Sequence, residues 1–138
     1  MKPTDFKTWE DICASLDIDP VQALAFAEHI VEKDRAAVVA FYKLTKLSEA
    51  SYGPKQPDWT NENEYKYWPY FDMNNENDPS GFGFSDTYCV DWDAGTFVGS
   101  RLCYPTSEMA EYAGTQFIDW YRELMVLPNK SDNGKEEN

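Results

Sequence analysis

The period of the apolar residues changes at Gly53 and changes back at Pro105, and those changes decide what the chain can fold into. Before Gly53 apolar side chains return every three or four positions; from there to Tyr104 they alternate. Phe6, Trp9, Cys13 and Leu16 predict a first helix behind Thr4 as its cap. Asp19-Pro20-Val21-Gln22 is a second start signal, with proline at the first helical position, for a helix running to about Ile30. Asp34 is expected to cap a third helix with Ala37, Val38, Phe41, Leu44, Leu47 and Ser48 on one stripe. Gly53 and Pro54 should end it, because glycine accepts the left-handed cap and proline cannot continue a helix.

Beyond Gly53 the alternating sets are Tyr65, Tyr67, Pro69, Phe71 and Met73, then Phe82, Phe84, Tyr88, Val90 and Trp92, then Val98, Ser100, Leu102 and Tyr104. They predict three strands joined by short links, an antiparallel meander, with Pro69 marking the first strand as an edge. Twelve of the 22 aromatic residues lie in this part, between Trp59 and Tyr104. A last helix should follow Pro105, capped by Thr106 or Ser107. It should lie on the sheet through Phe117, Tyr121 and Leu124 and stop at Pro128. The expectation is therefore one α+β domain over residues 1–127: N-terminal helices, a three-stranded antiparallel meander and a C-terminal helix packed on the sheet. Residues 128–138 read as a disordered polar tail.

Charge removes several function classes. Twelve basic residues against 25 acidic ones leave a net charge of −13, the wrong sign for binding nucleic acid or an anionic membrane. No apolar run is long enough to span a bilayer, and no apolar stretch behind Met1 suggests a signal peptide. Cys13, Cys89 and Cys103 are odd in number and lack metal-ligand spacing, which suits free thiols in the cytoplasm.

No catalytic set assembles from the sequence, and no cofactor or metal site is expected. His29, the single histidine, has neither a nucleophile motif nor an orienting acid assigned to it and reads as a helix-end charge. Gly81-Phe82-Gly83-Phe84-Ser85 and Gly99-Ser100-Arg101 lack the lysine of a phosphate loop, and read as glycines that make room for rings or a bulge. Asp72, Asn74, Glu76 and Asp78 alternate like the start of a calcium loop. Asn77 then stands where that loop needs glycine, and Gly83 where it needs glutamate. Arg101 is isolated in an uncharged segment. The expected reading is a structural ion pair with Asp86 or Asp91 on the neighbouring strand; the alternative is an anion-binding arginine.

The region from Gln56 to Asp93 carries nine acidic residues against Lys66 alone, a local charge of −8. If one face of its strands enters the core, Lys66, Trp68, Tyr70 and Asp72 point the other way. Trp68, Tyr70 and Asp72 are thus the candidate binding residues, aromatics bordered by acids, suited to a protein partner. The competing readings are a small metal-assisted enzyme using Asp72, Asp78, Asp86, Asp91 or Asp93, and an acidic decoy that imitates nucleic acid.

The blocks Tyr65-Lys66-Tyr67-Trp68-Pro69-Tyr70-Phe71-Asp72-Met73, Gly81-Phe82-Gly83-Phe84-Ser85 and Val98-Gly99-Ser100-Arg101-Leu102-Cys103-Tyr104 resemble uncharacterised proteins of phages, prophages and other mobile elements of anaerobic gut bacteria. So do Ser107-Glu108 and the stretch from Ala110 to Ile118, together with the helical lead-in around Ile18-Asp19-Pro20 and Ala40-Phe41-Tyr42-Lys43-Leu44. The resemblance implies a phage-related protein, placed in the cytoplasm of a bacterial host or in a virion. It implies no activity and no functional residue.

Overall fold

A computed structural model describes residues 2–90 and 96–128. The first helix, α1 (Trp9–Leu16), is capped by Thr8 rather than Thr4. Thr8 Oγ1 accepts from the Asp11 amide at 3.2 Å, and Asp11 Oδ2 accepts from the Thr8 amide at 3.2 Å. This reciprocal pair satisfies two helix-end amides at once. Thr4 lies instead in a short 3₁₀ turn, Pro3–Asp5.

Asp19 opens the next segment as expected, its Oδ1 accepting from the amides of Val21 and Gln22 at 2.9 and 2.8 Å. That segment, Gln22–His29, is wound as a 3₁₀ helix. The long helix α2 (Glu32–Tyr52) starts two residues before Asp34, which sits in its first turn at the positive end of the dipole. Leu44, Leu47 and Ser48 of the expected stripe are buried, but Phe41 is exposed and Ala40 and Ala50 take the inward positions. Gly53 ends the helix with φ +66°.

Strands β1 (Lys66–Asp72) and β2 (Gly83–Val90) pair antiparallel. Among the described residues no third strand pairs with β2; the end of the expected strand lies instead on the other side of β1, where Tyr67 and Tyr104 exchange both backbone hydrogen bonds at 3.0 and 2.7 Å. The chemistry of β1 limits this contact to one pair. In an antiparallel ladder the next exchanging residue beyond Tyr67 on that side is Pro69, which has no N–H to offer. Residues 96–103 turn instead: Thr96 Oγ1 accepts from the amides of Val98 and Gly99, and Gly99 adopts φ +71°.

A second departure changes which residues share a face. Tyr70 pairs with Asp86 but Phe71 pairs with Phe84, so Ser85 is an extra residue, a β-bulge. Phe82, Phe84 and Tyr88 alternate without a break in the sequence. The bulge sends Phe84 inward with Phe71 and Pro69, and leaves Tyr88 on the outer face with Trp68 and Tyr70.

The C-terminal helix is two helices. Thr106 caps α3 (Ser107–Gln116), its side chain accepting from the Met109 amide at 3.0 Å. The helix breaks at Phe117, and α4 (Ile118–Met125) follows. Just before the break Thr115 Oγ1 donates back to the Glu111 carbonyl at 2.8 Å, a bond that bends helices. The helix α3 lies along the strands, where a side chain at Gly114 would meet Phe84 and Pro69. The other half, α4, packs on α2. Phe117 and Tyr121 are buried as expected, but Leu124 is half-buried at the α4 surface. Phe71 stacks on Phe82 at 4.6 Å and lies 4.7 Å from Tyr121, which joins the strand and helix layers in one core with Ile12, Leu44 and Leu47. The fold is α+β, with a two-stranded antiparallel sheet among the described residues. Residues 129–138, read as the polar tail, lie outside them.

Candidate interaction face

The outer face of β1 and β2 carries Lys66, Trp68, Tyr70 and Asp72 on one strand and Asp86 and Tyr88 on the other. Tyr70 and Tyr88 sit diagonally across the ladder with rings stacked at 4.4 Å, each about half exposed at 46% and 48%. Asp72 and Asp86 are exposed beside them. Trp68, expected to be exposed with Tyr70, is 7% exposed and meets Phe97 edge-on at 6.4 Å. It lies on the same face, directly across from Tyr88, without presenting its own ring. Tyr88 was not among the expected binding residues, because the bulge that turns it outward leaves no mark in the period of the sequence.

Lys66 also departs from expectation. Instead of a solvated charge on this face it is 2% exposed. Its Nζ donates to the carbonyls of Asp58, Glu64 (2.8 Å) and Asn61 (3.4 Å) and lies 5.3 Å from the centre of the Trp59 ring. Three carbonyls and an aromatic face replace water around the ammonium, which keeps burial of the charge tolerable. The Glu64 carboxylate, 3.6 Å away, completes the cage and also accepts from the Asp58 amide.

The expected pair between Arg101 and Asp86 is not formed. Arg101 is exposed and makes no ion pair among the described residues, while Asp86 Oδ1 accepts from the adjacent Thr87 amide at 2.8 Å. The segment that carries Arg101 meets the sheet beside β1 rather than β2, which removes the cross-strand position that the pairing required. Asp91 and Asp93 lie outside the described residues.

The acids proposed as metal ligands are used locally. Asp72 Oδ1 accepts from the Asn74 amide, and Asp78 Oδ1 accepts from the amide and hydroxyl of Ser80. Asp78 Oδ2 faces Arg122 at 3.4 Å. The Ser80 bonds, with Arg122 in support, hold the Asp78 carboxyl below its usual range. Among the described residues no three His, Cys, Asp or Glu side chains converge as a metal site. None of the three cysteines is in a disulfide; Cys13 and Cys103 are buried and Cys89 is exposed. No helix among the described residues is long and apolar enough to cross a membrane. Comparison with protein-family models, curated proteins and solved structures finds no match to this chain.

Proposed function

We propose that the chain is a non-enzymatic interaction module of phage or mobile-element origin, and that Tyr70 and Tyr88, beside Trp68 and flanked by Asp72 and Asp86, bind a protein partner with a basic surface. It works in the host cytoplasm or in a virion. The observation that supports this reading is the stacked, half-exposed tyrosine pair within the acidic region. Two aromatic rings fixed against one another offer contact area with little side-chain entropy left to lose, and the carboxylates steer a cationic partner toward them.

The test is capture from the infected bacterial host with the wild-type protein and with the Tyr70→Ala/Tyr88→Ala variant, followed by titration of the purified partner. A partner held by the wild type, lost at least tenfold by the variant and weakened by salt supports the face. Equal affinity for both proteins overturns it.

A further inference from the structure

A cavity of about 320 Å³ opens where the last two turns of α2 meet the loop after it and the turn at residues 100–101. Its charge is opposite to that of the protein as a whole. Lys55 and Arg101 both line it, and among the described residues neither belongs to an ion pair. The one acid in its wall, Glu49, is already held by Lys46 at 3.0 Å. In a chain with 25 acidic and 12 basic residues, two unpaired cations beside one hollow are an exception to the surrounding charge.

The neutral groups of the wall add donors. Ser100 Oγ accepts from the Trp59 indole N–H at 2.7 Å, so its own proton is available to an incoming acceptor. The Tyr52 hydroxyl stands 3.5 Å from Cys103 Sγ, whose own proton goes to the Ser100 carbonyl, so the phenol proton is directed to the sulfur and Tyr52 shapes the wall. Ser48 gives its proton to the Cys103 carbonyl at 2.6 Å, fixing the floor to the turn that carries Arg101. The carbonyl end of α2 is nearby and opposes an anion, but a helix end carries only a partial charge, and two full cations outweigh it.

We infer that this cavity binds a small molecule through an oxyanion, a carboxylate or a phosphate, held by Arg101 and Lys55 with Ser100 as hydrogen-bond donor. Its volume is at the lower end of small-ligand sites, which excludes a folded partner. Arg101 offers a planar fork to two oxygens and Lys55 a mobile point charge, the combination suited to one oxyanion head group.

The full chain is titrated calorimetrically with citrate, inorganic phosphate and adenosine monophosphate, each against sodium chloride of equal ionic strength. The chloride arm is needed because screening alone stabilises a chain of net charge −13. Saturable binding of at least one probe, one per chain, weakened tenfold or more by Arg101→Ala and by Lys55→Ala, is the expected result. Citrate alone binding identifies a carboxylate ligand; phosphate or the nucleotide binding identifies a phosphate ligand. Both substituted residues are exposed, and each variant should melt with the wild type when no probe is added. Absence of saturable binding by all three probes, or binding that both variants retain in full, overturns the inference. The Tyr70→Ala/Tyr88→Ala protein should bind the same probe unchanged, so the cavity and the tyrosine face succeed or fail separately.

Discussion

Tyr104 and Tyr121 are fully buried, and their hydroxyls meet at 2.7 Å inside the core. Each is the other's hydrogen-bond partner. Tyr121→Phe keeps the ring, and with it the 4.7 Å contact to Phe71, but leaves the Tyr104 hydroxyl without a partner in a dry site. Such a group costs about 1–3 kcal/mol, and the same holds for Tyr104→Phe. Replacing both removes the two polar groups together and conserves ring volume, so the double variant should lie within about 1 kcal/mol of the wild type. The two substitutions are therefore strongly non-additive: the singles together cost about 2–6 kcal/mol, at least about 1 kcal/mol more than the double. Urea unfolding of the four proteins, followed by tryptophan fluorescence and accepted where the slopes agree, measures it. Thermal melting gives a second reading, at about 3–6 °C per kcal/mol for a domain of this size. Single variants that each lose less than about 0.5 kcal/mol, or a double variant equal to the sum of the singles, would refute a buried, mutually satisfied pair.

The same pair sets an alkaline limit. Burial raises both phenols above the ordinary value of 10, so they stay protonated in the folded chain while the unfolded chain ionises. Stability is complete below pH 10 and falls above it by about 1.4 kcal/mol per pH unit for each phenol; the double Phe variant should lack this contribution in denaturation at pH 10–11. Gly114→Ala should destabilise the fold by about 1–2 kcal/mol in melting: overpacking against Pro69 and Phe84, 2.8 and 2.6 Å from the added carbon, outweighs the helix propensity gained, and a stabilised variant would disprove the α3 contact. Lys66→Met should cost about 2–4 kcal/mol by the same assay, because it strands carbonyls that the ammonium now satisfies; a neutral outcome would show that water can replace it.

The change of period at Gly53 foretold the α+β class, the end of α2 and the start of α3 at Thr106, because glycine, proline and capping side chains act on the backbone next to them. What stayed hidden depends on residues remote in sequence. An extra residue at Ser85 cannot be seen in an alternating pattern, since Phe82, Phe84 and Tyr88 keep their spacing whether or not the strand bulges. Pro69 announced a missing donor, yet only the bridge at Tyr104 shows that this donor faced the third strand and limited it to one pair. The break at Phe117 sits inside an unbroken apolar stripe. Its correlates, Thr115 bonding back to Glu111 and the separate partners of α3 and α4, belong to tertiary structure.

Lys66 shows why the candidate sites were only half legible. A lone lysine in an acidic strand reads as solvated, and nothing local marks the carbonyls of Asp58, Asn61 and Glu64 as its ligands. Once they close on it, the loop over residues 58–64 is fixed beside the outer face of β1, and the Trp59 ring lies over the ammonium. The far edge of that ring then donates to Ser100, in the wall of the basic cavity. One buried cation thus fixes both the end of the tyrosine face and the donor beside Arg101. The carboxylates that dominate the sequence mostly tie down turns, as Asp58 does with Thr60 and Asp78 with Ser80. In this chain the rarer positive charges carry more information about where a ligand can sit than the abundant negative ones.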